Sequence, residues 1–203
     1  MKVTQVITRV SRLRDHPAPP IVHRSHSCHP NCFVAWSATI GGRQTIHVLR
    51  DVPCGEELTI SYAAGAEAST RESRRALLRR KYRFDCDCEA CRFNGAALER
   101  SDARHSRLCQ IHQGLSDWPD DGLVAVVEEC YQLMLEEGVP LILGKAGWIL
   151  AIVQLLQHGK AEGAAKWSAI GVECARIALG EDSSAHIQFS TLLQNVSKYS
   201  SLK

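Results

Sequence analysis

Apolar and polar positions follow two different periods along this chain. In the first third, two runs rich in β-branched and aromatic residues, 33–40 and 45–49, flank Gly41-Gly42. They predict a β-hairpin, because both glycines accept a positive φ in the turn. A shorter run at 57–62 predicts one further strand. We expect a strand or short amphipathic element within residues 1–14, and a loop over 14–25, where three prolines interrupt regular structure.

Helical spacing begins after a small-residue linker at 63–68. The sequence Ser69-Thr70-Arg71-Glu72 predicts a capping box in which Ser69 caps a basic helix running to about Tyr82. From Ala96 onward apolar residues recur at i, i+3, i+4 and i+7. We expect four helices in this region. The first starts at Asp120-Asp121 and the second runs from Pro140 to near Gly159. The third runs from about Lys160 to Gly180, and the fourth runs from Ser183 toward Lys198.

Together these patterns predict an α+β fold with a β-rich first part and an all-α region after it. We expect four segments: an irregular N-terminal segment (1–25), a β-rich domain (26–64), a helix with a cysteine knuckle (65–95) and a helical C-terminal region (96–203). Antiparallel helix pairs with short links are typical of tetratricopeptide-type arrays, but no clean 34-residue repeat occurs, and a plain helical bundle is equally consistent.

Composition narrows the class of protein. The 203 residues are 45% hydrophobic and 23% charged, as in ordinary globular proteins, which excludes wholesale disorder. The sequence contains no uninterrupted apolar run long enough to predict a membrane span. A net charge of +2 gives no overall reason to expect a membrane surface or specific nucleic-acid binding.

The nine cysteines indicate a metal site, which the overall composition does not. Three of them form a C-x-C-x-x-C sequence, Cys86, Cys88 and Cys91, whose thiolates can converge on one tetrahedral Zn²⁺. Spacing alone leaves the fourth ligand open among Cys28, Cys32, Cys54 and Cys109. An odd cysteine count with such clustering favours metal binding and free thiols in a reducing compartment, and therefore an intracellular protein of the nucleus or cytoplasm.

Three motifs resemble those of one family. The sequence His26-Ser27-Cys28-His29-Pro30-Asn31-Cys32 is similar to the Asn-His-Ser-Cys-x-Pro-Asn motif of SET domains. Residues 55–62, Gly-Glu-Glu-Leu-Thr-Ile-Ser-Tyr, resemble their Gly-Glu-Glu-Leu…Tyr motif. The segment 82–91 resembles the post-SET cysteine segment of the SET-and-MYND branch, and the helical tail looks like that branch's C-terminal region.

The resemblance implies protein-lysine methylation with S-adenosylmethionine as methyl donor. Tyr62 would be the catalytic tyrosine and would also lie against the cofactor, together with Ser25 and His26, while Phe84 would stack on the adenine. Cys28 would be the fourth zinc ligand. A protein lysine, histone or non-histone, would be the substrate.

The sequence also departs from the family pattern. None of its fourteen glycines forms a Gly-x-Gly sequence, the cofactor loop of the family, and the motif asparagine is Ser25. The sequence Ser11-Arg12-Leu13 stands twelve residues before its expected place, which suggests an insertion over 14–25. We therefore expect a chain that lacks the N-terminal SET half and the MYND finger and is weak or inactive alone. The alternative is a non-catalytic, zinc-stabilised interaction module that docks a protein partner.

Overall fold

A computed structural model describes residues 5–7, 25–37, 43–63, 68–114 and 120–200. The chain divides into two compact units, Met1–Ser106 and Arg107–Lys203. The first carries all the described strands and the second is helical, which confirms the α+β fold class with a helical C-terminal region. The predicted four-segment division stays a prediction.

The first unit contains a three-stranded antiparallel sheet. Its strands are β1 (Gln5–Ile7), β3 (Cys32–Ser37) and β4 (Arg43–Val48), in the order β1-β4-β3. The pairing of β3 with β4 confirms the predicted hairpin strands, while the glycine turn itself lies outside the described residues. The expected N-terminal strand is present as β1, which pairs with β4. The predicted loop up to residue 24 lies outside the described residues.

Two further strands bring the motifs together. The strand β2 (Ser25–His26) runs parallel to β5 (Thr59–Ile60), with His26 opposite Ile60. The strand predicted over 57–62 is thus only two residues long, and the side chain of Asn31 hydrogen-bonds the backbone at Glu57 and Thr59.

The basic helix α1 (Arg71–Tyr82) begins one residue later than the capping-box prediction requires. Its N-cap is Thr70, whose hydroxyl accepts from the backbone N–H of Ser73 at 3.4 Å. The backbone carbonyl of Ser69 instead accepts a hydrogen bond from the guanidinium of the buried Arg74. Assigning the cap to Ser69 was wrong, because the chain turns into the helix only after Thr70.

The end of α1 directs the chain into the cysteine segment. Arg83 adopts a left-handed conformation with a φ of 62° and its N–H bonds the carbonyl of Arg79. The Nε of Arg79 donates to the carboxylate of Asp85 at 2.7 Å. These contacts fix the turn that carries Phe84. The short helix α2 (Glu89–Arg92) and the long helix α3 (Gly95–Gly114) follow, and the boundary between the two units falls within α3.

The second unit is a series of helices with short connections. They are α4 (Asp120–Glu136), α5 (Lys145–Gln157), α6 (Ala161–Leu179) and α7 (Ser184–Ser200), preceded at α5 by a 3₁₀ turn over Leu141–Gly144. The prediction that Pro140 opens an α-helix was therefore wrong by one turn, because Pro140 caps the 3₁₀ segment. Gly180 ends α6 with a φ of 92°, as predicted.

The core of the second unit is built on large aromatic side chains. Trp148, Trp167 and Phe189 are fully buried, and the rings of Trp148 and Phe189 lie 6.3 Å apart. The α6 backbone at Gly171 approaches Phe189 so closely that a Cβ there would lie 2.2 Å from the ring. Among the described residues, we find no helix with the length and apolar character that crossing a bilayer requires.

Candidate functional site

Four cysteines from two distant parts of the chain meet in the first unit. Cys28 follows β2, while Cys86, Cys88 and Cys91 come from the turn after α1 and from α2. Their four Sγ atoms all lie within 4.8 Å of one another, and those of Cys28 and Cys91 are 3.6 Å apart. Cys28 is the member of the predicted set of fourth ligands that the structure places beside the other three.

The donor set fits a structural zinc ion. A tetrahedral site with Zn–S bonds of ~2.3 Å has sulfur–sulfur edges of about 3.8 Å, close to the separation of Cys28 and Cys91. Backbone hydrogen bonds shape the knuckle: the carbonyl of Cys88 accepts from the N–H groups of Cys91 (2.9 Å) and Arg92 (3.0 Å). The N–H of Cys28 donates to the Cys88 sulfur at 3.4 Å, as expected around a metal-bound thiolate.

Interactions within the cluster lower the pKa of two of the four cysteines and raise the pKa of the other two, Cys28 and Cys91. Hydrogen bonding with Cys28 lowers the pKa of Cys86, and it lowers the pKa of Cys88 to about 5. The pKa of Cys28 is raised, first by its hydrogen bond with Cys86. Four sulfurs at this spacing cannot all carry charge without a cation, so the arrangement matches what a divalent metal would stabilise.

Three aromatic rings pack beside the cysteines. The ring centroid of His26 lies 5.4 Å from that of Tyr62 and 5.9 Å from that of Phe84, and Tyr62 and Phe84 are 6.4 Å apart. Tyr62 and Phe84 also pack against the core formed by Cys28, Leu78, Cys86, Ala90 and Cys91. The structure thus brings together three of the residues that the resemblance assigns to cofactor and catalysis.

The imidazole of His26 connects the two clusters. Its Nδ1 accepts a hydrogen bond from the backbone N–H of Tyr62 at 3.0 Å, and its Nε2 lies 3.4 Å from the Sγ of Cys28. The parallel pairing of β2 with β5 and a hydrogen bond from the N–H of Ser27 to the carbonyl of Ile60 (3.1 Å) hold the two motifs side by side.

Asn31 is a buried residue whose role the sequence reasoning missed. It is 1% exposed, and its amide donates to the carbonyl of Glu57 (2.8 Å) and to the carboxylate of Glu56 (3.0 Å) while accepting from the N–H of Thr59 (2.8 Å). The available signal was the position of this amide directly before the apolar run that begins at Cys32, since an amide that is buried there must find hydrogen-bond partners.

Ser25 occupies the position of the motif asparagine. Its hydroxyl donates to the carboxylate of Glu57, so this side chain is engaged with the second motif. The neighbouring Glu56 pairs with Arg50, and the hydrogen bond from Arg50 lowers the pKa of the Glu56 carboxyl. Each glutamate of the second motif therefore has a side-chain partner, Arg50 for Glu56 and Ser25 for Glu57.

Residues 16–63 match the family model described as "SET domain". Over 73 residues the chain is 41% identical to the human (Homo sapiens) "Histone-lysine N-methyltransferase SMYD3", an alignment that covers 36% of this chain and 16% of that protein. This part of the chain is therefore similar to SET domains. Its match to that relative also supports the resemblance to the SET-and-MYND branch.

Two fungal relatives extend the match. The chain is 39% identical over 100 residues to "Histone-lysine N-methyltransferase SET5" of Meyerozyma guilliermondii, which covers 49% of this chain and 19% of that protein. It is 23% identical over 179 residues to "Histone-lysine N-methyltransferase set5" of Schizosaccharomyces pombe, which covers 84% of this chain and 54% of the relative. The chain therefore spans less than two thirds of each of these SET-domain relatives.

Proposed function

We propose that the first unit forms part of an S-adenosylmethionine-dependent protein-lysine N-methyltransferase site. The observation that carries this proposal is the meeting of His26, Tyr62 and Phe84 beside a four-cysteine cluster, in a chain whose residues 16–63 match the SET-domain model. The curated relatives named as histone-lysine methyltransferases support the reaction class.

The residues fit a methyl donor of this kind. The ring of Phe84 is partly buried and meets His26 edge-on, so one face of an aromatic platform can accept the adenine. When bound, S-adenosylmethionine supplies a methyl group on a positively charged sulfonium. Ser25 and His26, on β2, would lie against the bound cofactor beside Phe84.

The role of Tyr62 follows from the chemistry of the lysine amine. A free lysine amine has a pKa of ~10.4 and is an ammonium ion at neutral pH, so a desolvated channel is needed to favour the neutral form. A tyrosine hydroxyl can accept or donate a hydrogen bond without adding charge. Tyr62 would thereby orient the amine, and alignment of the reacting atoms supplies the rate enhancement.

Zinc would serve structure and not chemistry at this site. Four thiolates complete a tetrahedral coordination shell and leave no position for water or substrate. By joining Cys28 to Cys86, Cys88 and Cys91, the ion would hold the first motif against the turn that carries Phe84.

We expect cofactor binding by the chain alone to be weak. Its sequence contains no Gly-x-Gly, the kind of loop that lets a backbone approach a cofactor closely. Ser25 is also shorter than the asparagine it replaces and is engaged by Glu57. In the cell, the protein would act on a protein lysine in the nucleus or cytoplasm, as the names of its relatives suggest.

Calorimetric titration of S-adenosylmethionine into the zinc-loaded chain tests the proposal. Phe84→Leu should weaken binding by about fivefold, because the loss of an aromatic stacking partner is worth ~1 kcal/mol. Tyr62→Phe should leave binding intact but abolish methyl transfer to a mixture of histones. Tyr131→Phe, in the helical unit, is the matched control and should change neither measurement.

Absence of heat and of methyl transfer in the wild-type chain would overturn the proposal. The alternative function, a non-catalytic zinc-stabilised interaction module, would then be favoured, with the basic face of α1 as its docking surface. That face carries arginines at positions 71, 75 and 79, four residues apart on one side of the helix.

A further inference from the structure

The imidazole of His26 touches both halves of the site, and each of its nitrogens has a different partner. Nδ1 receives the backbone N–H of Tyr62 at 3.0 Å, and Nε2 lies 3.4 Å from the Cys28 sulfur. We propose that His26 is a positioning residue that couples the metal cluster to the backbone of Tyr62. This inference rests on the proposed methyltransferase site, for which it identifies the link between metal and catalytic tyrosine.

The two contacts determine the tautomer. A backbone N–H is a donor, so Nδ1 must present its lone pair, and the single proton of the neutral ring must lie on Nε2. That proton points to Cys28, so the ring donates an N–H···S hydrogen bond to one of the four sulfurs. Metal-bound thiolates are commonly stabilised by such donors, whose loss typically weakens metal binding by 10–100-fold.

The ring has few other positions available. It packs against the rings of both Tyr62 and Phe84, at 5.4 and 5.9 Å, and its backbone in β2 is paired with Ile60 in β5. Since an aromatic ring is rigid, the separation of its two nitrogens is fixed. A displacement of the Cys28 sulfur therefore moves the acceptor of the Tyr62 N–H by a similar amount.

The geometry also distinguishes His26 from a residue that simply fills space. A packing residue would need only the ring faces, whereas both ring nitrogens here lie at hydrogen-bond distance from groups of two different motifs. The coupling runs from β2 to the segment after β5 through one side chain.

The first test uses the wild-type chain loaded with ¹¹³Cd²⁺. Two-bond ¹H–¹⁵N correlation of the His26 ring should show a proton on Nε2 only, and that proton should show scalar coupling to the cadmium nucleus across the hydrogen bond. A ring protonated on Nδ1, or an Nε2 proton without coupling to the metal, would overturn the proposal. This experiment needs no variant and so does not depend on how a variant folds.

The second test divides the two contacts between two substitutions. The amide oxygen of His26→Asn can replace Nδ1 as acceptor for Tyr62, but its side chain does not reach Cys28. The amide nitrogen of His26→Gln can replace Nε2 as donor to Cys28, but it leaves the Tyr62 N–H without its acceptor. We expect zinc affinity, measured by competition with a chelator, to fall 10–100-fold in His26→Asn and less in His26→Gln.

The backbone amide of Tyr62 reports the coupling itself. In the wild-type chain, replacing Zn²⁺ with the larger Cd²⁺ should shift the Tyr62 amide resonance, and most of that shift should be lost in His26→Asn. In His26→Gln the amide should exchange faster with solvent in both metal forms. His158→Asn, at an exposed position in the helical unit, should behave as wild type.

Equal zinc affinities in the two variants, together with a wild-type response of the Tyr62 amide in His26→Asn, would show that His26 only packs. None of these measurements requires S-adenosylmethionine. Failure of cofactor binding would therefore count against the proposed function alone, and failure of the metal response would count against the coupling alone.

Discussion

The side chain of Asn31 links the first motif to the second by hydrogen bonds. Because β2 and β5 have only two residues each, few backbone hydrogen bonds join them. The Asn31 amide supplies three more, to the backbone at Glu57 and Thr59 and to the carboxylate of Glu56. Removal of the amide would leave the half-buried backbone N–H of Thr59 without its acceptor, and an unmet buried hydrogen bond costs about 1–3 kcal/mol.

We therefore expect Asn31→Ala to destabilise the first unit by about 1–3 kcal/mol. The backbone amide of Thr59 should exchange with deuterium faster in this variant, since its acceptor is the side-chain oxygen Oδ1 of Asn31. Amides of α6, in the helical unit, serve as the internal reference. Unchanged protection of Thr59 would contradict the assignment of Asn31 as the link between the two motifs.

The cysteine cluster gives a second prediction. Cys88→Ser should lower the zinc content of the purified chain and loosen the knuckle, because a hydroxyl is a poorer ligand than a thiolate. Cys54→Ser is the matched control, since Cys54 is exposed and outside the cluster. Zinc content measured by elemental analysis separates the two variants, and full retention in Cys88→Ser would refute the ligand set.

The burial of His112 predicts that the stability of the second unit depends on pH. Burial lowers the pKa of its imidazole, so the unfolded state binds a proton at a higher pH than the folded state does. Stability should then be greatest above the ordinary histidine pKa of ~6.5 and fall as the pH drops through the lowered pKa. Urea unfolding at neutral and acidic pH measures the loss, and His112→Leu should reduce it. An unchanged profile in that variant would assign the dependence to other groups.

At the level of elements, the contact between α6 and α7 depends on the absence of a side chain at Gly171. A Cβ there would lie 2.2 Å from the ring of Phe189, which is fully buried and has little room to move. We expect Gly171→Ala to destabilise the helical unit by about 1–3 kcal/mol through overpacking.

Gly122→Ala provides the matched comparison in α4. A Cβ at Gly122 meets nothing within 4 Å, so the gain in helix propensity should make this variant neutral or slightly more stable than wild type. Thermal unfolding followed by circular dichroism compares the two. If Gly171→Ala were as stable as Gly122→Ala, the helices would not pack as closely as described.

Periodicity predicted the elements that are long and one-sided. The hairpin strands and the helices α4, α6 and α7 lie within a few residues of their expected ends, because burial of one face repeats along each of them. The pattern predicted β5 as longer than its two residues, and it did not predict the 3₁₀ turn after Pro140. Both depend on contacts made elsewhere in the fold, namely the amide of Asn31 for β5 and the α4–α5 connection for the turn.

At the scale of the whole molecule, the two units differ in what stabilises them. The helical unit has a core of large apolar side chains, whereas the core beside the candidate site consists largely of cysteines. Removal of the metal by a chelator should therefore reduce deuterium protection around Cys28 and Cys91 while leaving most of α5 and α6 protected. Loss of protection in both units to the same extent would contradict this view.

The candidate site was more predictable from motifs than from pattern. Spacing identified the three-cysteine knuckle, but it left Cys28 equal to three other cysteines, because a ligand from a distant segment leaves no periodic signal. The contacts of His26 were not predicted at all. They depend on the parallel pairing of β2 with β5, which sequence alone did not indicate.

The meeting of Cys28 with Cys91 has a consequence for the unfolded chain. These residues are 63 positions apart, so a shared metal would close a loop of that length, as a covalent crosslink would. By a chain-entropy estimate, such a closure removes about 4 kcal/mol of unfolded-state entropy at room temperature. Since this cost grows only with the logarithm of loop length, an insertion at the exposed turn of Cys54 and Gly55 would change it by well under 1 kcal/mol. The segment between Cys28 and Cys91 can therefore vary in length at little cost in stability, whereas the two cysteines must keep their positions beside each other.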